Sequence, residues 1–188
     1  MGAGRMNLSG CGMRESGVRA VGVVILLSLL VSCGYHISGR GGLIPEGARN
    51  IAVPVFFNST NEPYVDVDLT QAVVEEFLTD GRLHVVDLAD ADIALRCRVD
   101  KYEATAVSFN PASYVQQYRI RIVVEARLQD LHTKKILWQE KGIESNFISE
   151  YPVALGNIQA TRVAKEAAIK KAGQDIAWTL RSRILEGF

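Results

Sequence analysis

The chain has 188 residues, 21 Lys and Arg against 21 Asp and Glu, a formal net charge of +0 and 48% hydrophobic residues. That length suits one domain rather than two. The neutral balance argues against nucleic-acid binding by bulk charge and leaves any anion recognition to a local patch.

Ala20–Val31 is an uncharged run of twelve residues behind an n-region carrying Arg5, Arg14 and Arg19. It is too short to cross a hydrocarbon core of ~30 Å as a helix. The run closes in Leu30-Val31-Ser32-Cys33, a small residue before Cys at the end of an h-region, which reads as the cleavage and lipidation site of a bacterial lipoprotein. A buried core helix is the competing reading; the terminal position and the Ser-Cys pair favour processing. Residues 1–32 are then a signal peptide, and the 188 residues less 32 leave 156. The 21 basic residues less Arg5, Arg14 and Arg19 leave 18, and the 21 acidic less Glu15 leave 20, a net charge of −2. One acyl chain holds a membrane only reversibly, whereas the several chains of a lipoprotein cysteine give stable attachment. Gly34 stands where an Asp would resemble an inner-membrane retention signal, so the expected address is the outer membrane of a Gram-negative envelope.

Residues 33–49 read as a lipid-anchored tether, because Gly34–Gly47 hold five glycines and Pro45 with little periodicity. Residues 50–188 form a single α/β domain. Its first strand is Ile51–Phe57, with Ile51, Val53, Val55 and Phe57 on one side and Pro54 demoting it toward an edge. Val65, Leu69, Ala72, Val73 and Phe77 predict an amphipathic helix that Asp66 or Asp68 can cap and Gly81 ends. Leu83–Val86 is a short strand, so a parallel crossover is expected. Ile93–Ser108 and Val115–Gln129 alternate with period two around the turn Asn110-Pro111-Ala112-Ser113, an antiparallel hairpin. Lys135–Glu144 is a further strand, Tyr151–Gly156 a loop, and roughly Ile158–Leu185 a long helix whose stripe is Ile169, Ala172, Gly173, Ile176, Ala177, Leu180 and Ile184. The expected fold is an α/β (α+β) two-layer sandwich, a mixed sheet of four or five strands with two helices on one face.

Enzymatic constellations are missing from this pattern. His36, His84 and His132 have no metal-ligand spacing and no nucleophile elbow or phosphate loop around them. Gly39-Arg40-Gly41-Gly42 precedes a Pro rather than a helix start. Cys11 leaves with the signal peptide. Cys97 falls on the apolar side of its strand with Ile93, Leu95 and Val99, a core thiol rather than a nucleophile. The reading is a non-enzyme without metal or cofactor.

Cys33-Gly34-Tyr35-His36, Leu43-Ile44-Pro45, the stretch Ile51-Ala52-Val53-Pro54-Val55-Phe56-Phe57-Asn58-Ser59-Thr60, Leu69-Thr70-Gln71-Ala72-Val73 and Tyr118-Arg119-Ile120 occur in an order and spacing that resemble the lipopolysaccharide-assembly lipoprotein family, LptE. The resemblance spans the mature chain. It implies a sandwich seated as a plug inside the β-barrel LptD of the outer membrane, assisting barrel assembly and lipopolysaccharide delivery to the outer leaflet, with no catalysis. Extra glycines in the lead-in, and the lack of a long polar tail after the last helix, depart from that pattern.

Alternation sets Arg96, Arg98 and Asp100 of the first hairpin strand, and Arg119, Arg121, Glu125 and Arg127 of the second, on the face away from the helices. Two readings of this face stand. Guanidinium groups bind phosphate and carboxylate in bidentate fashion, so Arg96, Arg98, Lys101, Arg119 and Arg121 are candidates for contacting lipopolysaccharide. A solvated face whose arginines pair with Asp100 and Glu125 produces the same pattern. Phe109, Asn110 and Tyr114 at the hairpin tip are candidates for partner contact, as is Trp178, which falls 180° from Ile169 around the last helix. Trp138 shares its strand face with Ile136 and reads as core. An accessory lipoprotein of another envelope lipid-transport or secretion complex would share the anchor and the domain without needing affinity for lipopolysaccharide.

Overall fold

The computed structural model describes residues 43–187. The expected signal peptide, Cys33 and the lead-in through Gly42 lie outside the described residues. From residue 50 the chain runs β1 (Asn50–Ala52), β2 (Phe57–Asn58), α1 (Val65–Asp80), β3 (His84–Val85), β4 (Ile93–Phe109), β5 (Val115–Asp130), β6 (Ile136–Glu144), β7 (Ser149–Pro152) and α2 (Ile158–Glu186). The sheet order is β3-β1-β4-β5-β6, with β2 also on β4 and β7 also on β5. β1 is parallel to both β3 and β4, and β5 is antiparallel to β4, β6 and β7. The expected mixed sheet with two helices is present, but it has seven strands rather than four or five.

Two local effects account for the extra strands. Pro54 has no N–H for a ladder and restricts the residue before it, so the expected strand Ile51–Phe57 breaks. β1 pairs with Ile93 and Ala94, and β2 resumes opposite Arg98 and Val99 of the same partner strand. In between, the Phe56 N–H donates to Thr70 Oγ1 of α1 at 3.0 Å. The break also changes the facing: Phe56 is buried, while Val55 and Phe57, expected inward with Ile51, are exposed. β7 falls in and just before the stretch read as loop. Ser149 and Tyr151 turn inward and Glu150 outward, an alternation too short to stand out beside Pro152.

The helices follow their apolar spacing. Val65, Leu69, Ala72, Val73 and Phe77 are buried on α1, and the whole stripe from Ile169 to Ile184 is buried on α2. Neither Asp66 nor Asp68 caps α1; its N-cap is Tyr64, in the left-handed region at φ 65, without a side-chain bond. The two aspartates still stand in the first turn, where the helix dipole favours negative charge. Gly81 ends α1 as expected, its N–H donating to Phe77 O. A Cβ at Gly173 would come 3.3 Å from Leu69 Cδ2 and 3.5 Å from Ala72 Cβ, so glycine is what lets α2 lie this close to α1. Together the helices cover one sheet face, and Ile93, Leu95, Val99, Ile122, Val124 and Leu128 join them in the core. Cys97 belongs to it, and burial pushes its thiol pKa far up, as expected for an inert thiol. Trp138 packs against the core opposite Leu128, but a register shift puts Ile136 opposite Gln129 and leaves it exposed. No helix among the described residues is long and apolar enough to cross a membrane.

Candidate functional site

β4 and β5 carry their charged residues on the face opposite the helices, and the register decides which of them meet. Arg96 lies directly opposite Arg127, Arg98 opposite Glu125, Glu103 opposite Arg121 and Thr105 opposite Arg119. Lys101 would fall on the apolar side by simple alternation from Val99. A register shift between Val99 and Lys101 leaves Asp100 without a partner across the ladder and sends Lys101 outward, opposite Val123. The bulge thereby completes the basic face.

Most of these cations are neutralised within the sheet. Arg98 donates to Asp100 Oδ1 at 2.6 Å and to Glu125 Oε2 at 2.7 Å. Lys101 lies 2.7 Å from Glu103 Oε1. Arg121 holds Glu144 through two bonds of 2.7 and 2.6 Å, and Arg119 holds Glu150 at 2.8 Å. The hydrogen bond from Lys101 keeps the Glu103 carboxyl below its usual range, and that from Arg121 does the same for Glu144. Such exposed pairs are screened by solvent and contribute little to stability. Their effect here is to fix the guanidinium groups in a lattice.

One part of the lattice is short of acid. Arg96 is exposed and has no ion-pair partner among the described residues, and Arg127 approaches only Glu125 Oε1, at 3.9 Å. Glu125 is itself mostly buried and already bonded to Arg98 and to Gln139. Arg96, Cys97, Arg98, Glu125 and Arg127 line a shallow cleft of about 190 Å³. Of the five basic candidates read from the sequence, the fold puts Arg96 and Arg98 in this cleft and spreads Lys101, Arg119 and Arg121 further along the sheet. Arg127 joins the cleft without having been among them; its position opposite Arg96 depends on the hairpin register.

The hairpin tip is built by Asn110, whose Oδ1 accepts from the N–H groups of Ala112 and Tyr114 at 3.0 Å. Phe109 and Tyr114 are exposed on either side of it. Trp178 is exposed on α2, far from the tip and beside the β6–β7 connection. No group of three or more His, Cys, Asp or Glu able to hold a metal occurs among the described residues, and His36 lies outside them.

A family model described as LptE, Lipopolysaccharide-assembly, matches residues 48–184. The chain belongs to the LptE family. The match covers all seven strands and nearly all of α2, so the cleft and the hairpin tip are parts of the LptE-family domain. Among solved structures, the hypothetical protein CT253 from Chlamydia trachomatis is 12% identical and has a TM-score of 0.50, over 75% of this chain and 97% of its own. The rare lipoprotein B from Shewanella oneidensis is 18% identical with a TM-score of 0.44, over 74% and 92% of the two chains. An uncharacterized lipoprotein B from Nitrosomonas europaea is 14% identical with a TM-score of 0.47, over 78% and 88%. No curated protein sequence matches the chain.

Proposed function

We propose that this LptE-family protein is an outer-membrane lipoprotein, anchored through Cys33 after removal of residues 1–32. Residues 33–49 are its tether and the remainder a single domain. It acts as plug and assembly partner of an LptD β-barrel, and it binds lipopolysaccharide on the way to the outer leaflet. It works by binding, without catalysis or cofactor.

The observation that carries the reading is Arg96, without an ion-pair partner among the described residues, directly opposite Arg127, whose one carboxylate at 3.9 Å is shared with Arg98, within a domain of a lipopolysaccharide-assembly family. Two guanidinium groups facing one another repel until an anion bridges them. Phosphates and carboxylates of the lipid A and inner-core region are anions of the right geometry for bidentate contact. Arg98 completes the cleft, while Lys101, Arg119 and Arg121 extend the positive face toward the tip. The tip residues Phe109, Asn110 and Tyr114 are the proposed contact with the barrel.

Affinity purification of the tagged full-length protein from native outer membranes tests both parts. The expected result is a large β-barrel in near one-to-one ratio together with lipopolysaccharide. Recovery of inner-membrane transporter or secretion subunits without a barrel would overturn the reading in favour of another envelope complex.

A further inference from the structure

The cleft on the outer sheet face is built over a carboxylate. Glu125 is only 8% exposed, although it belongs to the face turned away from the helices. Its Oε2 accepts from Arg98 Nη2 at 2.7 Å and its Oε1 from Gln139 Nε2 at 2.5 Å. Arg127 Nη2 and Lys141 Nζ both stand 3.9 Å from Oε1, beyond hydrogen-bond reach. Glu125 therefore has its acceptors filled by Arg98 and Gln139, and the fork of Arg127 stays open.

The charges around this carboxylate do not balance. Arg96, Arg98, Arg127 and Lys141 are four cations; Glu125 and Asp100, which accepts from Arg98 Nε at 2.6 Å, are the two carboxylates among them. Glu140 of β6 turns away, to Arg183 of α2. Two positive charges are left over. Further along the same face Lys101 pairs with Glu103, Arg121 with Glu144 and Arg119 with Glu150, so the excess is confined to the cleft. Register places it between two strands: Arg96 faces Arg127 directly, and the Cβ atoms of such a pair lie about 4.5–5.5 Å apart. Both guanidinium groups can reach one anion lying between them.

The number of charges and of open forks defines that anion. A phosphomonoester above its second pKa, about 6, carries two negative charges and three terminal oxygens. Three oxygens serve two guanidinium forks when the forks share one of them, and each fork keeps a bidentate contact. A phosphodiester or a carboxylate has one charge and two free oxygens, which satisfy a single fork. The second arginine would then still face the first with one positive charge uncompensated.

We propose that the cleft selects a phosphomonoester dianion over phosphodiesters and carboxylates, with Arg96 and Arg127 gripping its terminal oxygens and Glu125 as the positioning residue that holds Arg98 beside them. The inference rests on the proposed lipopolysaccharide contact for the molecule that bears the phosphate. The test titrates the full-length protein in dodecyl maltoside with methyl phosphate and with dimethyl phosphate, followed by phosphorus NMR. At about pH 7.5 the monoester is expected to bind at least about tenfold more tightly. Arg96→Gln should remove that preference at an unchanged or higher urea midpoint, whereas Arg121→Gln, the same charge change outside the cleft, should keep it. At about pH 5 the monoester has taken up its second proton and the preference should fall away; the diester, measured beside it, reports any effect of Glu125 or Asp100. Equal affinities at the higher pH, or a preference that survives Arg96→Gln or the lower pH, overturn the inference. Lipopolysaccharide that binds as well after its monoester phosphates are removed also overturns it and leaves the proposed function standing. Selective binding of methyl phosphate without binding of lipopolysaccharide upholds the inference, assigns the cleft to free phosphate compounds and overturns the lipopolysaccharide contact.

Discussion

Arg96 and Arg127 stand directly opposite one another across β4 and β5, and no carboxylate is paired with Arg96 among the described residues. Like charges directly opposite in an antiparallel pair are destabilising, by roughly 0.2–1 kcal/mol. Arg127→Gln is therefore expected to leave the fold as stable or slightly more so in urea denaturation. It should at the same time weaken lipopolysaccharide binding, since a hydrogen bond to a charged group contributes about 1.5–3 kcal/mol, roughly tenfold to hundredfold in affinity. Arg119→Gln, which breaks the pair with Glu150, serves as the comparison and should cost less binding. Equal losses from the two variants would mean that the face acts through overall charge and not through the cleft.

Cys33→Ala removes the sulfur that the proposed lipid attachment requires. A precursor retaining residues 1–32 should accumulate away from the outer membrane, seen as a slower band on gels and a changed density in sucrose fractionation. Normal maturation of this variant would sink the lipoprotein assignment while leaving the fold untouched.

Gly173 is where α2 lies against α1. A Cβ there would come 3.3 Å from Leu69 Cδ2, and Leu69 is fully buried in the core. In an exposed helix, replacing glycine would stabilise by up to about 1 kcal/mol; here overpacking opposes it. Gly173→Val adds a branched side chain to that contact and is expected to lower the unfolding free energy by roughly 1–3 kcal/mol, read as a lower urea midpoint at unchanged slope. A midpoint at or above that of the parent would show that the helices separate freely.

Elements that bury one face over many residues were legible in the sequence. The stripes of α1 and α2 and the alternation of β4 and β5 repeat often enough to be read, because each position follows from the same burial. Single-residue shifts were not. The unpaired Asp100 puts Lys101 on the outer face, Pro54 turns Phe56 in and Val55 and Phe57 out, and the shift beside Leu128 separates Ile136 from Trp138. Each of these is decided by pairing with a distant strand. Arg127 was missed as a cleft residue for that reason. Asp175 of α2, whose carboxylate holds Ser145 and Asn146 of the β6–β7 connection, was missed for the same reason. Its loop partners lie about thirty residues away, and on the helix wheel it falls beside the apolar stripe and not within it. The arginine face itself was readable; which arginines remain unpaired depends on Glu144 and Glu150, contributed by β6 and the unexpected β7.

Asp92 ties the start of β1 to the turn after β5. Its Oδ2 accepts from the N–H groups of Arg49 and Asn50, each at 2.9 Å, and its Oδ1 lies 3.2 Å from His132 Nε2. The backbone bond from Arg49 and then that from Asn50 hold its pKa below the ordinary aspartate value, with a smaller contribution from His132. A depressed folded pKa means the unfolded chain binds the proton more readily, so the stabilisation is complete above about pH 5 and declines as pH falls through about 3.9 toward the folded value. Asp92→Asn keeps a side-chain acceptor but removes the charge. Its urea midpoint should lie below that of the parent at pH 7, and the two should draw together as pH falls below about 3.9. A gap that stays constant across that range would show that the carboxylate's charge contributes nothing to holding β1 in place.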